Sequence, residues 1–308
     1  MTKRVKFLWE VLLKAAQDWA SSNAMRNSAS IAYYAIFSIP GLLIIIIWLA
    51  GYFFGEEAIR GEISHQISEA VGYEAAQSIE QMVAGSLIDK DNVLMKTVGV
   101  FSLVFGATTL FFQLQKSLND LWSIEPAPKK ALINFVLSRA NSLGMILIIG
   151  FLMTITMIFS SVVSFLNGYI THSLGFETYN LMQIVNFSAG FILTTLVFAF
   201  MFKVLPDVQL GWRLVWPGAL LTSLLFTAGK FILSYYFTSF QPTSTFGTAG
   251  TIVLVMMWIN YSCMLVFFGA EFTRVFAAKS GQAIKPSRFA SWNRLKQLEA
   301  KVGTEEEE

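Results

Sequence analysis

Lys230 and Glu271 are the residues most costly to place without a purpose. Lys230 lies in the apolar run ALLTSLLFTAGKFILSYYF and Glu271 closes another, MLVFFGAEFTR. A hydrocarbon core accepts such groups only when they are paired, reach the interface or line a wet cavity. The chemistry this offers is binding: an ammonium holds an anion, and amide, hydroxyl and backbone groups complete the cavity. Asn260 and Tyr261 sit inside the second run, as cavity lining or as interhelical hydrogen-bond partners. The uncharged stretch 238–250, TSFQPTSTFGTAG, joins the runs and adds the Thr245 hydroxyl and the Gly247 backbone. Pro242 and the glycines argue against a helix there. The stretch reads as an outer turn, or as irregular backbone lining a cavity.

Both charges also have plainer readings. Lys230 either faces a cavity or snorkels to the outer interface. Glu271 has Arg274 three residues on, the spacing of an interfacial ion pair. A second polar group follows the run FGATTLFFQLQKSLNDLW. In a continuous helix Gln113, Lys116 and Asp120 share one face, and Gln115 and Asn119 another. With Tyr33 and Tyr34 from an earlier run, Gln113, Lys116 and Asp120 form a polar cluster at one membrane mouth, or simply position the helix at the membrane edge.

Hydrolytic chemistry has little to work with. A nuclease needs clustered metal ligands, or an acid–base pair beside phosphate-binding cations. The chain holds two histidines, His65 and His172, and one cysteine, Cys263, which reads as a small packing residue. A single cysteine allows no intramolecular disulfide and no multi-cysteine metal site. No GxxxxGK[ST] is present, so ATP drive is not encoded. The expectation is a non-enzyme with no cofactor and no metal. The net charge of +2 is too small to argue for nucleic acid.

The elements that must hold these groups are membrane helices. The chain is 55% hydrophobic and 14% charged, with a mean hydropathy of +0.57; a soluble domain carries about 25% charged residues. The apolar residues come in blocks long enough to span a bilayer. The expected fold is all-α and polytopic, with six transmembrane helices at about 36–54, 97–114, 143–166, 184–202, 214–237 and 251–272. Residues 1–277 read as one membrane domain and 278–308 as a partly disordered tail. The N-terminus lacks the apolar core of a cleavable signal. Instead Val5, Leu8, Leu12, Ala16 and Trp19 recur at helical spacing beside the stripe Lys6, Glu10, Lys14 and Asp18, which predicts an amphipathic helix in the interface plane. Between the first two spans, 55–96 carries eight acidic and three basic residues. The repeat Ile59, Ile63, Ile67 and Val71 predicts short helices capping one membrane face.

With both termini on one side, eighteen Lys and Arg fall on that side and three on the other, Lys230 lying within a span. This bias predicts cytoplasmic termini and an outward-facing acidic segment.

Four blocks carry a resemblance: SIAYYAIFSIPGLL, FGATTLFFQLQKSLNDLW, ALLTSLLFTAGKFILSYYF and STFGTAGTIVLVMMWINYSCMLVFFGAEFTRV. Together, from about Asn23 to Ala277, they resemble the YihY/BrkB family of bacterial inner-membrane proteins. The Gly-Lys of the fifth span, the Phe-Gly-Thr-Ala-Gly stretch and the closing Gly-Ala-Glu-Phe-Thr are its most specific pieces. The family's usual Tyr-Gly-Ala-Ala-Gly stands here as Phe246-Gly247-Thr248-Ala249-Gly250. The resemblance implies six transmembrane helices and no settled activity; members have carried ribonuclease BN and serum-resistance labels, and transport is a common proposal. The expected function is therefore a transporter, flippase-like protein or channel for an anionic or lipid-like substrate, in the bacterial inner membrane and open to homo-oligomer formation. The alternative is a non-transport scaffold or envelope-integrity protein.

Overall fold

Ala24 opens a helix that runs unbroken to Phe54, through Pro40. The computed structural model describes residues 3–71, 73, 76–77, 79–81, 93–126, 135–152, 155, 177–240, 242–282, 284–287 and 290–293. His172 and most of the stretch expected to complete the third span lie outside them. The described helices are α1 (Lys3–Ser21), α2 (Ala24–Phe54), α3 (Glu56–Val71), α4 (Val93–Leu121), α5 (Phe135–Leu152), α6 (Glu177–Val204), α7 (Trp212–Phe240) and α8 (Pro242–Lys279). Among the described residues five segments are long and apolar enough to cross a membrane: Ala24–Trp48, Phe135–Leu152, Phe187–Val204, Trp212–Leu233 and Ile252–Lys279.

The expectation for 238–250 fails. Helix α7 continues to Phe240, and α8 begins at Pro242, so Thr245, Gly247 and Gly250 lie in helix. Two effects explain this. Proline costs nothing at the first helical position, where its missing N–H would have had no intrahelical partner. Glycine is also more frequent in membrane helices than in soluble ones.

Helix α2 packs along α4 and α8, α7 packs between α6 and α8, and α1 lies on α8. Ile31, Leu118, Trp122, Met145, Phe202 and Phe267 are fully buried in the resulting core. Hydroxyls in these helices return to their own backbones: Ser28 donates to Ala24 O, Thr195 to Phe191 O and Ser262 to Trp258 O. Such back-bonding satisfies a hydroxyl where water is absent. Phe101, Phe151, Ile192, Phe231 and Tyr235 point outward, exposing large apolar area that a bilayer solvates.

The α7–α8 hairpin is the tightest junction. A Cβ on Gly218 would overlap the Thr273 hydroxyl and lie 2.9 Å from Gly269 O. One on Gly269 would overlap the Thr222 hydroxyl. The spacing Gly218-x-x-x-Thr222 on α7 thus meets Gly269-x-x-x-Thr273 on α8, a small-residue contact typical of membrane helices.

One end of the bundle is closed by two short antiparallel ladders. β1 (Ile124–Pro126) pairs with β4 (Ala290–Trp292), and β2 (Val208–Gln209) with β3 (Lys285–Pro286). Their rungs are extended by Asn293 N–H donating to Ser123 O and Ser287 N–H donating to Asp207 O. Residues beyond the last membrane helix are thereby fastened to the turns after α4 and α6. At the other end α3 buries Ile59 and Ile63, as their spacing predicted.

Helix α1 buries Val11 and Ala15 against Phe272 and Val275 of α8. Val5 and Leu8 of the expected stripe are exposed, as are Trp9 and Leu13. Of the same stripe, Leu12 and Trp19 pack partly against the bundle, so the protein grips one edge of it.

Candidate functional site

The close hairpin determines where Lys230 sits. Gly229 faces Tyr261 so closely that a Cβ there would overlap its phenol. This contact continues the register of the Gly218–Thr273 and Thr222–Gly269 pairs. Lys230, the next residue, is half-buried at the level of Asn260 and Tyr261, about 18 Å along α7 from Gly218. Asn260 is half-buried too, yet its Oδ1 is fully covered and without a hydrogen-bond partner among the described residues. An unpaired buried amide oxygen costs about 1–3 kcal/mol. The Thr245 side chain lies outside the described residues; its backbone and that of Gly247 are in the first turns of α8.

Glu271 is not part of this group. It is 1% exposed and accepts from Arg274 Nε at 2.9 Å, and also from Arg274 Nη2. The i+3 pair expected from the sequence is present. Arg274 also donates to Asp18 Oδ2 of α1 at 2.8 Å.

Tyr33 and Tyr34 stand exposed on α2, ring edge to ring face at 5.8 Å. Gln113 is half-buried on α4, and Lys116 and Asp120 are exposed there. Among the described residues no hydrogen bond or ion pair joins either tyrosine to these three.

The neighbouring face of α4 carries the polar cluster instead. Gln115 and Asn119 are buried and both reach Asp207, in the turn between α6 and α7. Asn119 Nδ2 donates to Asp207 Oδ2 at 2.8 Å, and Asp207 N–H donates back to Asn119 Oδ1 at 2.9 Å. Gln115 Nε2 donates to Oδ1 at 3.3 Å, while its own Oε1 is buried without a partner. Burial raises the Asp207 carboxyl above the usual carboxylate range, although the amide bonds from Asn119 and Gln115 pull it down. The sequence offered a signal: a single acid between two spans, and two amides sharing a helix face.

The raised value means that protonation favours the folded state. This contribution is full at low pH and is lost as pH rises through the folded pKa. Asp207→Ala, which strands two buried amides, is expected to cost about 1–3 kcal/mol. Asp207→Asn is expected to be tolerated and to flatten the pH dependence, because a flipped Gln115 amide can accept from the new Nδ2. Thermal melting in detergent across pH checks both outcomes.

Arg139 stands near the start of α5. It lies over the Phe105 ring at 4.3 Å and beside Phe112 and Phe135. Elsewhere, a small open recess lies beside α2 and α3, lined by Leu43, Ile47, Ile63, Ile67 and Ile79 with Arg60 and Glu80. Lys230, Asn260 and Tyr261 are not among its walls.

These features sit on a chain with recognisable relatives. The family model described as virulence factor BrkB matches residues 15–292. The UPF0761 membrane protein MS0032 of Mannheimia succiniciproducens is 25% identical over 258 residues, 80% of this chain and 83% of its own. A UPF0761 membrane protein of Histophilus somni strain 2336 is 25% identical over 289 residues, 90% of this chain and 92% of its own. The putative ribonuclease-like protein YfkH of Bacillus subtilis is 21% identical over 257 residues, 80% of this chain and 87% of its own. No solved structure matches the chain.

Proposed function

The chain belongs to the family described as virulence factor BrkB, and from that premise we propose that this membrane protein is a transporter, flippase-like protein or channel for an anionic or amphipathic molecule. The observation that carries the reading is the level of α7 and α8 that holds Lys230, Asn260 and Tyr261. There a covered amide oxygen has no partner among the described residues, at the level of a cation inside a candidate span. Polar groups kept at such depth are costly and mark ligand pathways. Tyr261, packed on Gly229, positions one wall.

The reading includes the architecture around the site. Helix α4, 29 residues and about 43 Å long, is the sixth span. Helix α1 lies in the interface, with Val5, Leu8, Trp9 and Leu13 in the acyl boundary. The protein sits in the inner membrane with the ladder end, rich in Lys and Arg, in the cytoplasm.

Two observations bear on the alternatives. The recess lined by Arg60 and Glu80 does not count Lys230 among its walls, which favours a scaffold that binds a partner near α3. YfkH is named ribonuclease-like, but two histidines and one cysteine make a poor donor set for a hydrolytic centre.

Proteoliposome flux of small anions and fluorescent phospholipids tests the proposal. Lys230→Ala, shown first to be folded and inserted, is expected to lose about ten- to a hundredfold of the flux, the worth of one charged hydrogen bond. Lys230→Arg is expected to keep part of it. Equal flux in all three proteins would reduce Lys230 to a snorkelling residue and leave the scaffold ahead.

A further inference from the structure

Arg139 presents a cation in a setting built by two helices. Its Nη1 donates to Thr108 Oγ1 at 2.8 Å and to Thr109 Oγ1 at 3.3 Å. Those hydroxyls spend their own protons on the α4 backbone, Thr108 on Val104 O and Thr109 on Phe105 O. They can therefore only accept from the arginine, and they fix one side of its guanidinium. Three rings surround the plane, with centroids at 4.3, 4.8 and 5.5 Å.

Among the described residues this arrangement leaves the charge uncompensated. Cation–π contacts contribute about 0.5–2 kcal/mol each and carry no countercharge. Among the described residues no carboxylate pairs with Arg139, and its Nε is buried without a partner. Thr108 is eight residues before Lys116 on α4, so the guanidinium lies about 12 Å farther along the bundle than that exposed lysine. A membrane-embedded arginine normally pairs with an acid or reaches the interface. Here the threonines and rings hold it in place.

We infer that Arg139 is the binding group for the phosphate of an anionic phospholipid that enters sideways from the bilayer. The edge opposite the threonines, Nε with Nη2, is the fork that meets two phosphate oxygens at once. Phe105 and Phe135 form the walls and are themselves exposed, as are Phe101 and Leu137 nearby. They offer the apolar surface that acyl chains need. The covered Nε requires a local opening before both donors engage. A lipid supplies the missing negative charge and the chains together. The site stands whether or not the protein transports anything, because a resident lipid would satisfy it equally.

The test uses the full chain in detergent, with native mass spectrometry and titration against phosphatidylglycerol, phosphatidylcholine and inorganic phosphate. Wild type is expected to prefer phosphatidylglycerol over phosphatidylcholine by about tenfold or more. Arg139→Gln is expected to lose that preference, whereas Lys116→Gln keeps it. If Arg139→Gln does not fold, Arg139→Lys carries the test: it keeps the charge but lacks the fork, and should weaken the preference several-fold. An unchanged preference in the folded Arg139 variants would overturn the site. Binding of inorganic phosphate that is lost in Arg139→Gln, with no lipid preference in wild type, would overturn the lipid source.

Discussion

Gly269→Val is expected to cost about 3 kcal/mol or more and to separate α7 from α8. Overpacking usually costs about 1–3 kcal/mol, and rises when the obstacle cannot move. Here it cannot. A Cβ at position 269 overlaps the Thr222 hydroxyl and stands 3.0 Å from the Phe202 ring. Thr222 is fully buried and its hydroxyl is held by Gly218 O at 2.7 Å; Phe202 is fully buried too. On the facing side Gly218 approaches the Gly269 carbonyl, so backbone meets backbone. The strain would pass along the hairpin to the Gly229–Tyr261 contact that sets the level of Lys230. Gly144→Ala on α5 is the control, because nothing lies within 4 Å of its added methyl; it should be neutral or slightly stabilising. In Gly269→Ala, pairing with Thr222→Ala should recover much of the loss by removing the colliding oxygen. Melting in detergent, followed by tryptophan fluorescence, reads all of these. A Gly269→Val protein that melts with the Gly144→Ala control would remove the hairpin's close packing from the account.

The hairpin also shows what the sequence could convey. Hydropathy pointed to the five segments long and apolar enough to cross a membrane, because a bilayer-length run of apolar residues has few other uses. It did not bound the helices. Backbone hydrogen bonding carries α8 back to Pro242 and on to Lys279, beyond the expected span at both ends. Thr238–Gly250 misled because proline and glycine are read as breakers, a rule drawn from water, where the freed backbone has a solvent. Glu271 and Arg274 were legible because their pairing is local. Asp18, which Arg274 also holds, is 256 residues away and carries no periodic signal. Asp207, in the turn after α6, and Arg139, near the start of α5, were hidden for a similar reason. Each gains meaning only from a different helix, α4: Asp207 from Gln115 and Asn119, whose shared face was visible but unassigned, and Arg139 from Thr108 and Thr109, which carried no signal. The short ladders could not be read either, since two- and three-residue strands have no pattern of their own.

Arg274→Ala should cost about 3–5 kcal/mol, the price of stranding a buried partner rather than the worth of the pair. Glu271 is almost wholly buried, and its Oε2 already lacks a partner among the described residues. Removing the guanidinium leaves that carboxylate with neither its charge partner nor its two donors, and releases Asp18. Adding Glu271→Gln to Arg274→Ala should therefore stabilise, although by itself Glu271→Gln removes a bond. Arg274→Lys should fall between, since an ammonium cannot span both carboxylates as a fork does. The second consequence concerns α1. Its grip on α8 includes Val11, Ala15 and Leu12, the Phe7–Phe276 and Trp19–Phe268 edge contacts, the Asp18 bridge, and an exposed Lys279–Glu10 pair. Lys279→Ala should leave the melting unchanged, because exposed pairs contribute little. Arg274→Ala should instead open α1 to trypsin at Lys14 before the bundle melts. If α1 stays protected while the protein is destabilised, the small apolar contact holds the helix alone. If α1 is cut first, the buried triad is what ties the exposed N-terminal helix to the last membrane span.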